Sequence, residues 1–444
     1  MKITVYGAGY VGLTTAAVLS THHDVTVIEI DERKVELINA GETPIAEPDL
    51  APLLRDGISR GRLKAVGSDY KNSPQDAILI CVNTPSSYDG SVDLKAVDSV
   101  MQSIETNFDG YVDDYVIIGM RSTVPPGTTR TYVIDRLQKQ FDSTRFGVVF
   151  QPEFLRQGHA IYDLRYPDRV IIGASDQWVY NLYKDAILPC IKRENPPVIH
   201  MSIESAEMCK YASNSFLATK ISFANEMASL AEKIPHVNID DVMDGVVADH
   251  RICDSHLRPG LGFGGSCLPK DVSGLYHLGR QRELPMNLLE SVQKVNRSTT
   301  DRLLSLVGIP LSELKGKKIS ILGMAFKADT DDIRDSPSIP LIQRLASYGG
   351  DIHVHDPVVN FKIVPNEIAQ LFSVCDSIED CTRDSYLAFL MTDWKEYRSI
   401  GLVKITENMR EKYLVDGRRV FVNTEIPKNI TYRAIGSSTI SGIV

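Results

Sequence analysis

The chain has 444 residues, of which 43% are hydrophobic and 24% charged, and a net charge of −9. These values fit two or three soluble globular domains and give no electrostatic reason to expect nucleic acid or an anionic membrane as a partner. No run approaches the ~18 consecutive apolar residues of a membrane span, and seven cysteines without a C-x-x-C pair argue against a zinc site or a disulfide framework.

A strand starting at Lys2 leaves no room for a secretory leader, so a reducing cytoplasm is expected. Lys2 to Tyr6 reads as that buried strand, followed by Gly7-Ala8-Gly9-Tyr10-Val11-Gly12 and a helical stretch, Leu13 to Ser20. Val25 to Glu29 then forms a second strand ending in an acid, 17 residues after Gly12. A lone G-x-G-x-x-G is weak evidence, but strand, glycines, helix, strand and acid together mark a dinucleotide site. Gly7 allows the tight turn, Gly9 lets a pyrophosphate approach the backbone, and Gly12 lets helix and strand pack closely. The helix N-terminus offers amides to the phosphates. Glu29 would accept from a ribose diol and repel a 2′-phosphate, so the expected cofactor is NAD rather than NADP.

Further strands are predicted at 77–82, 116–119, 146–150 and 169–173. Asn83-Thr84-Pro85, Ser122-Thr123-Val124 and Gln151-Pro152-Glu153-Phe154-Leu155-Arg156 each follow one of them. Sites in α/β proteins form there, although Pro and Gly also favour plain turns. From Glu204 to Lys233 there is no Gly or Pro, which predicts a helix of about thirty residues, far beyond the usual three turns. Such a helix can serve as a spine and as a dimer interface. Lys210 and Asn214 share one of its faces, where a cation and an amide can stabilise an oxygen. The plainer alternative is a snorkelling lysine and a solvent-facing amide.

Gly262-Phe263-Gly264-Gly265-Ser266-Cys267-Leu268-Pro269-Lys270-Asp271 places a cysteine after a glycine-rich turn, at the predicted start of a helix. Ser266 is the expected cap, and Pro269 fits the first turn. Free amides and the helix dipole favour a thiolate at Cys267, and Asp271 lies about one turn on. A cysteine so placed points to covalent chemistry. Cys81, Cys190 and Cys209 read as core, whereas Cys253, Cys375 and Cys381 carry no signal. No histidines are spaced as a ligand cluster, and no metal is assigned.

Near the C-terminus, Lys318 to Gly323 echoes Lys2 to Gly7, and Ile352 to Asp356 echoes Val25 to Asp31. Met324-Ala325-Phe326-Lys327 replaces the glycine fingerprint there. The expected architecture is α/β, with two Rossmann-like doubly wound parallel-sheet domains joined by a long central helix and a helical region. The expected boundaries are 1–200, 201–308 and 309–444. The second sheet domain holds a different nucleotide or is structural.

These residues together resemble the UDP-glucose/GDP-mannose dehydrogenase family over nearly the whole chain. The matching motifs include Pro44-Ile45-Ala46-Glu47-Pro48, Ser122 to Thr128, Pro152 to Arg156, Lys210-Tyr211-Ala212-Ser213-Asn214, Phe263 to Asp271 and Phe326 to Arg334. The resemblance implies a nucleotide-sugar 6-dehydrogenase that oxidises a primary alcohol to a carboxylate with two NAD in turn. Cys267 would attack the intermediate aldehyde, and the resulting thiohemiacetal would become a thioester that water hydrolyses. It further implies that Lys210 and Asn214 hold the tetrahedral oxygen, with Glu153, Thr123 and Asp271 as candidates for water positioning and acid/base work. Cofactor contacts would come from Gly7, Gly9, Tyr10, Val11, Gly12, Glu29, Lys34, Thr84, Thr123 and Arg334. Substrate contacts would add Phe154, Leu155, Phe263, Gly264 and Lys327, with Arg251 reaching the sugar nucleotide of a neighbouring subunit.

Two residues depart from the family pattern: Gln157 stands where Glu is frequent, and Glu29 where Asp is frequent. The run Phe216 to Ile221 looks most like the branch acting on UDP-glucose, which would yield UDP-glucuronate for polysaccharide synthesis. GDP-mannose and N-acetylated UDP-hexoses are the alternatives. A one-step hydroxyacid dehydrogenase would need neither Cys267 nor the C-terminal domain, and a non-catalytic dinucleotide-binding regulator would not need Cys267, Lys210, Asn214 and Asp271 together. A homodimer or higher homo-oligomer is expected.

Overall fold

The computed structural model of the protein describes residues 1–70 and 73–437. It divides into two compact units, residues 1–213 and 214–444. The first contains β1 (Lys2–Tyr6), β2 (Asp24–Ile28), β3 (Leu63–Val66), β4 (Ala77–Ile80), β5 (Val116–Met120), β6 (Phe146–Phe150), β7 (Val170–Ala174) and β8 (Val198–Met201), in the order β3-β2-β1-β4-β5-β6-β7-β8. The central strands β4 to β7 are short, fully buried, mostly apolar runs because both faces of the sheet are covered there. Alternate residues serve opposite faces: Ile3, Val5, Ala77 and Leu79 join one core, and Tyr6, Ile78 and Ile80 the other.

The first six strands are parallel, but β7 pairs antiparallel with β6. The linking segment carries only the short helix Ala160–Arg165. It leaves and re-enters the sheet at the same edge, so no crossover helix makes β7 parallel.

The second unit contains β9 (Lys318–Leu322), β10 (Asp351–His355), β11 (Ser373–Val374), β12 (Leu387–Leu390), β13 (Tyr413–Asp416) and β14 (Thr431–Ala434). Their order, β11-β10-β9-β12-β13-β14, repeats that of the first six strands, with every neighbour parallel. The repeat heard in the sequence is therefore one of topology. Among the described residues, no helix is long and apolar enough to cross a membrane.

The long helix runs Ile203–Ala231, 29 residues, and the boundary between units falls inside it. Ala206, Ala218, Ala224 and Ala228 on it are fully buried. Small side chains at these positions let neighbouring elements pack close to the helix backbone.

Candidate functional site

In the first unit, Gly7 has φ +98°, and a Cβ on it would lie 2.7 Å from the Cys81 carbonyl oxygen. A Cβ on Gly12 would lie 1.9 Å from the Gly7 carbonyl oxygen. Both positions therefore exclude a side chain. At Gly9 the nearest atom to such a Cβ is Asn83 Oδ1, at 3.9 Å, which leaves the N-terminus of the helix Tyr10–Leu19 approachable. The turn thus fits a pyrophosphate on backbone amides.

Glu29 is buried at the end of β2. Its carboxylate accepts from the amides of Ala8 (2.7 Å), Ile30 (2.9 Å) and Asp31 (3.2 Å). A carboxylate has about four acceptor positions, so three amides leave room for a ribose hydroxyl. Lys34 is half-buried on the next helix, Glu32–Asn39.

The loops after β4 and β5 meet, since Thr84 Oγ1 donates to the Thr123 carbonyl at 2.8 Å. Beyond β6, Glu153 Oε1 lies 3.0 Å from Lys210 Nζ, and both side chains are almost fully buried. Burial alone would raise the Glu153 carboxyl. The Lys210 charge, the Leu155 amide and Arg121 outweigh it and hold this acid below the ordinary glutamate range. Lys210 also lies 5.3 Å from the centre of the Phe154 ring, and the Arg169 guanidinium 4.1 Å from it. The snorkelling alternative for Lys210 is thereby overturned.

Three buried residues to which the sequence alone assigned no role organise these loops. Glu47 accepts from the Gly158 and Ala160 amides, at 2.9 and 2.7 Å, and so fixes the turn that carries Gln157. Glu207 accepts from the Gly127 and Thr129 amides, at 2.6 and 2.8 Å, and so ties down the loop after Thr123. Arg121 makes a close contact with Gln151 just beyond β6. A local signal existed for Glu207, which sits three residues before Lys210 on the same helix face.

In the second unit, Asn214 is buried and donates from Nδ2 to Asp271 Oδ2 at 2.6 Å. Lys270 Nζ lies 2.6 Å from the other Asp271 oxygen, and Asp271 is only 1% exposed. The alternative of a solvent-facing amide is thus overturned as well, since a carboxylate locks Asn214 in place. Cys267 is exposed and is itself the N-cap of the helix Leu268–Gln281, with Pro269 in the first turn. Ser266 therefore does not cap that helix, because the helix begins one residue later than expected. The Ser266 hydroxyl instead lies 3.6 Å from the Cys267 sulfur.

The glycines of this turn are forced by close neighbours. A Cβ on Gly264 would lie 2.3 Å from the Asp335 carbonyl oxygen, and one on Gly265 would lie 2.7 Å from the Phe326 ring. Gly265 also donates to the Arg334 carbonyl at 2.9 Å. The Asn296 side chain accepts from the Phe263 amide at 2.8 Å and donates to the Phe263 carbonyl at 2.9 Å. Phe263 and Pro269 line a cavity of about 920 Å³, together with Asn296, Asp335 and Arg344. The segment Phe326 to Arg334 thus braces the cysteine turn. Lys327 on it is half-buried, and Arg334 pairs with Asp332 at 2.7 Å.

The NAD binding domain of the UDP-glucose/GDP-mannose dehydrogenase family matches residues 1–186, its central domain 204–298 and its UDP binding domain 320–423. The chain belongs to the UDP-glucose/GDP-mannose dehydrogenase family. These are NAD-dependent nucleotide-sugar dehydrogenases, so the glycine turn at Gly7 to Gly12 lies in an NAD-binding domain.

UDP-glucose 6-dehydrogenase YwqF of Bacillus subtilis is 35% identical over 443 residues, covering 99% of this chain and 98% of the relative. The structure of a UDP-glucose dehydrogenase from Pyrobaculum islandicum superposes with a TM-score of 0.87 at 32% identity, covering 98% and 97% of the two chains. A UDP-D-ManNAc dehydrogenase from Pyrococcus horikoshii gives the same TM-score, 0.87, at 27% identity, covering 99% and 100%. Within the family frame, Arg251 is exposed and folded onto Asp249 of its own chain. Cys81 is no rival to Cys267, since burial pushes its thiol up to about 12.

Proposed function

We propose that this family member oxidises UDP-glucose at carbon 6 to UDP-glucuronate in two steps, with Cys267 as the covalent nucleophile. The observation that carries this reading is the placement of Cys267, an exposed sulfur at the N-terminus of a 14-residue helix, on a turn where Gly264 and Gly265 admit no side chain. That helix end favours negative charge on the sulfur. The names of the Bacillus and Pyrobaculum relatives support UDP-glucose as the substrate.

NAD supplies the hydride acceptor for both oxidations. The amides after Gly9 and the Glu29 carboxylate hold and orient it. After the alcohol has lost a hydride and a proton, the Cys267 sulfur adds to the aldehyde carbon and the carbonyl oxygen becomes an oxyanion. Lys210 and the remaining N–H of Asn214 stabilise that oxyanion. Loss of the second hydride leaves a thioester. Water adds to it, the C–S bond breaks to release the carboxylate and the thiolate, and the two protons of the water pass to solvent.

Glu153 stays ionised beside Lys210 and orients the water through its carboxylate, with Thr123 on the neighbouring loop. Asp271 fixes the Asn214 amide through one oxygen and pairs with Lys270 through the other. Phe154, Leu155, Phe263, Gly264 and Lys327 contact the sugar nucleotide, while Thr84, Lys34 and Arg334 serve the cofactor.

Met208, Phe216, Phe223 and Leu230 are exposed along the long helix at spacings of eight, seven and seven. A second copy of the chain covers this stripe in the proposed dimer, and Arg251 reaches the partner's nucleotide. Sedimentation of the purified chain tests the dimer, which a monomer at micromolar concentration would exclude.

The Pyrococcus relative motivates the competing reading of an N-acetylated UDP-hexose as substrate. NADH absorbance with UDP-glucose, GDP-mannose and UDP-N-acetyl sugars separates the two, and UDP-glucose is expected to give the highest kcat/KM. The Cys267→Ala variant should form no net acid. Normal acid formation by that variant would remove the covalent step.

A further inference from the structure

Four titratable side chains converge in the second unit, and the dehydrogenase reading uses none of them. Cys375, just after β11, places its sulfur 3.7 Å from His353 Nδ1. His353 Nε2 lies 3.3 Å from Asp351 Oδ2, both on β10. Cys381, on the helix Ile378–Thr382, donates from sulfur to the His353 carbonyl at 3.4 Å. Both sulfurs thus lie against the one residue, Cys375 at the His353 ring and Cys381 at its backbone carbonyl. Cys381 is fully buried, whereas Cys375 is half-buried and Asp351 exposed. Lys318 Nζ, held by the carbonyls of Asp380 and Arg383 at 3.0 and 2.8 Å, adds a positive charge beside them.

With an Nε2 proton directed at Asp351, the His353 ring presents Nδ1 to the Cys375 sulfur as an acceptor. The Cys381 thiol first, and then His353 and Lys318, hold Cys375 below the ordinary thiol range. Cys381 shifts the other way, raised by its neighbour Cys375 and by burial. The thiolate thus belongs to the more accessible sulfur.

We propose that Cys375 and Cys381 form a peroxide-sensitive dithiol, with Cys375 as the attacking sulfur and Cys381 as the resolving one. The Cys375 thiolate attacks one oxygen of hydrogen peroxide and the O–O bond breaks. The sulfur is oxidised to a sulfenic acid, and the departing hydroxide takes a proton from His353 to leave as water. The Cys381 sulfur then attacks the sulfenic sulfur. An S–S bond forms, the S–O bond breaks, and a second water leaves carrying the Cys381 proton. The remaining thiols are internal references: Cys253 is exposed, and Cys190 is buried with its thiol pushed up to about 11.

The full-length chain treated with hydrogen peroxide, alkylated and mapped by peptide mass spectrometry tests this directly. A Cys375–Cys381 link, lighter by two hydrogens and reversed by dithiothreitol, should form about tenfold faster than oxidation at Cys253. In Cys381→Ser, a dimedone adduct should accumulate on Cys375. In Cys375→Ser, Cys381 should stay reduced, and His353→Asn should slow the wild-type reaction. The proposal is overturned if Cys253 oxidises as fast as Cys375, if Cys381 oxidises without Cys375, or if Cys375 stops at the sulfenic acid in the unsubstituted chain. None of these outcomes bears on Cys267, because the readout is resolved by site.

Discussion

The turn after β1 and the turn after β9 start alike and end differently. Gly7 and Gly323 have φ of +98° and +107°, and each donates its amide at 2.8 Å to the last carbonyl region of the neighbouring strand, Ile28 and His355 respectively. An acid then latches the next amides: Glu29 takes Ala8, and Asp356 takes Met324 and Ala325. After Gly7 a helix begins at Tyr10, but after Gly323 the next helix begins only at Ser338. The first turn leaves helix amides exposed for a phosphate. The second fills that space with a long segment whose Phe326, Arg334 and Asp335 press on the glycines before Cys267. One strand order and one latch thus serve two tasks, and the connection decides which.

Substitutions at matched positions can break that comparison. Asp356 accepts from five donors, adding Val358, Val359 and Trp394 to the two amides above. Asp356→Ala should cost about 4 kcal/mol in urea unfolding and leave the NAD dissociation constant unchanged where the chain remains folded. Glu29→Ala strands three amides and should cost about 2–3 kcal/mol while weakening NAD. Equal loss of NAD affinity in both variants would show that the two turns share one role.

Gly12→Ala puts a Cβ into the Gly7 carbonyl and should cost about 2 kcal/mol, with weaker NAD binding by fluorescence titration. Ala328, at the same offset after Gly323, should accept Val within about 1 kcal/mol.

Glu207 sharpens the contrast through pH. Burial, opposed by its amide donors, pushes its carboxyl up to about 6 from 4.5. The folded chain therefore keeps this proton where the unfolded chain has lost it. The contribution favours folding below 4.5 and is lost as pH rises through about 6, a difference of roughly 2 kcal/mol. Glu207→Gln should flatten unfolding free energy against pH across that window, and an unchanged slope would remove Glu207 as its source.

The parts of the site legible in the sequence were those set by local sterics and spacing. Gly7 and Gly12 announce a turn that only glycine fits, and the four-residue spacing of Lys210 and Asn214 announces a shared helix face. Partners distant along the chain were not legible. Glu153 and Lys210 are 57 residues apart, as are Asn214 and Asp271, and only the tertiary fold pairs them. Glu47 and Glu207 bind backbone amides, which every residue type except proline provides, so nothing local marks which acid will find them. Cys375 and Cys381 gain their meaning from His353, which lies on a different strand. The reversal of β7 was likewise hidden, since its apolar run reads the same in either direction.

The most direct measurement is the number of NADH molecules formed per sugar consumed, with UDP-glucose limiting and NAD in excess. A thiol that carries the aldehyde through to the acid predicts two NADH per sugar, a uronate product and no accumulating aldehyde. One NADH per sugar, with oxidation stopping at the aldehyde, would contradict the covalent four-electron route.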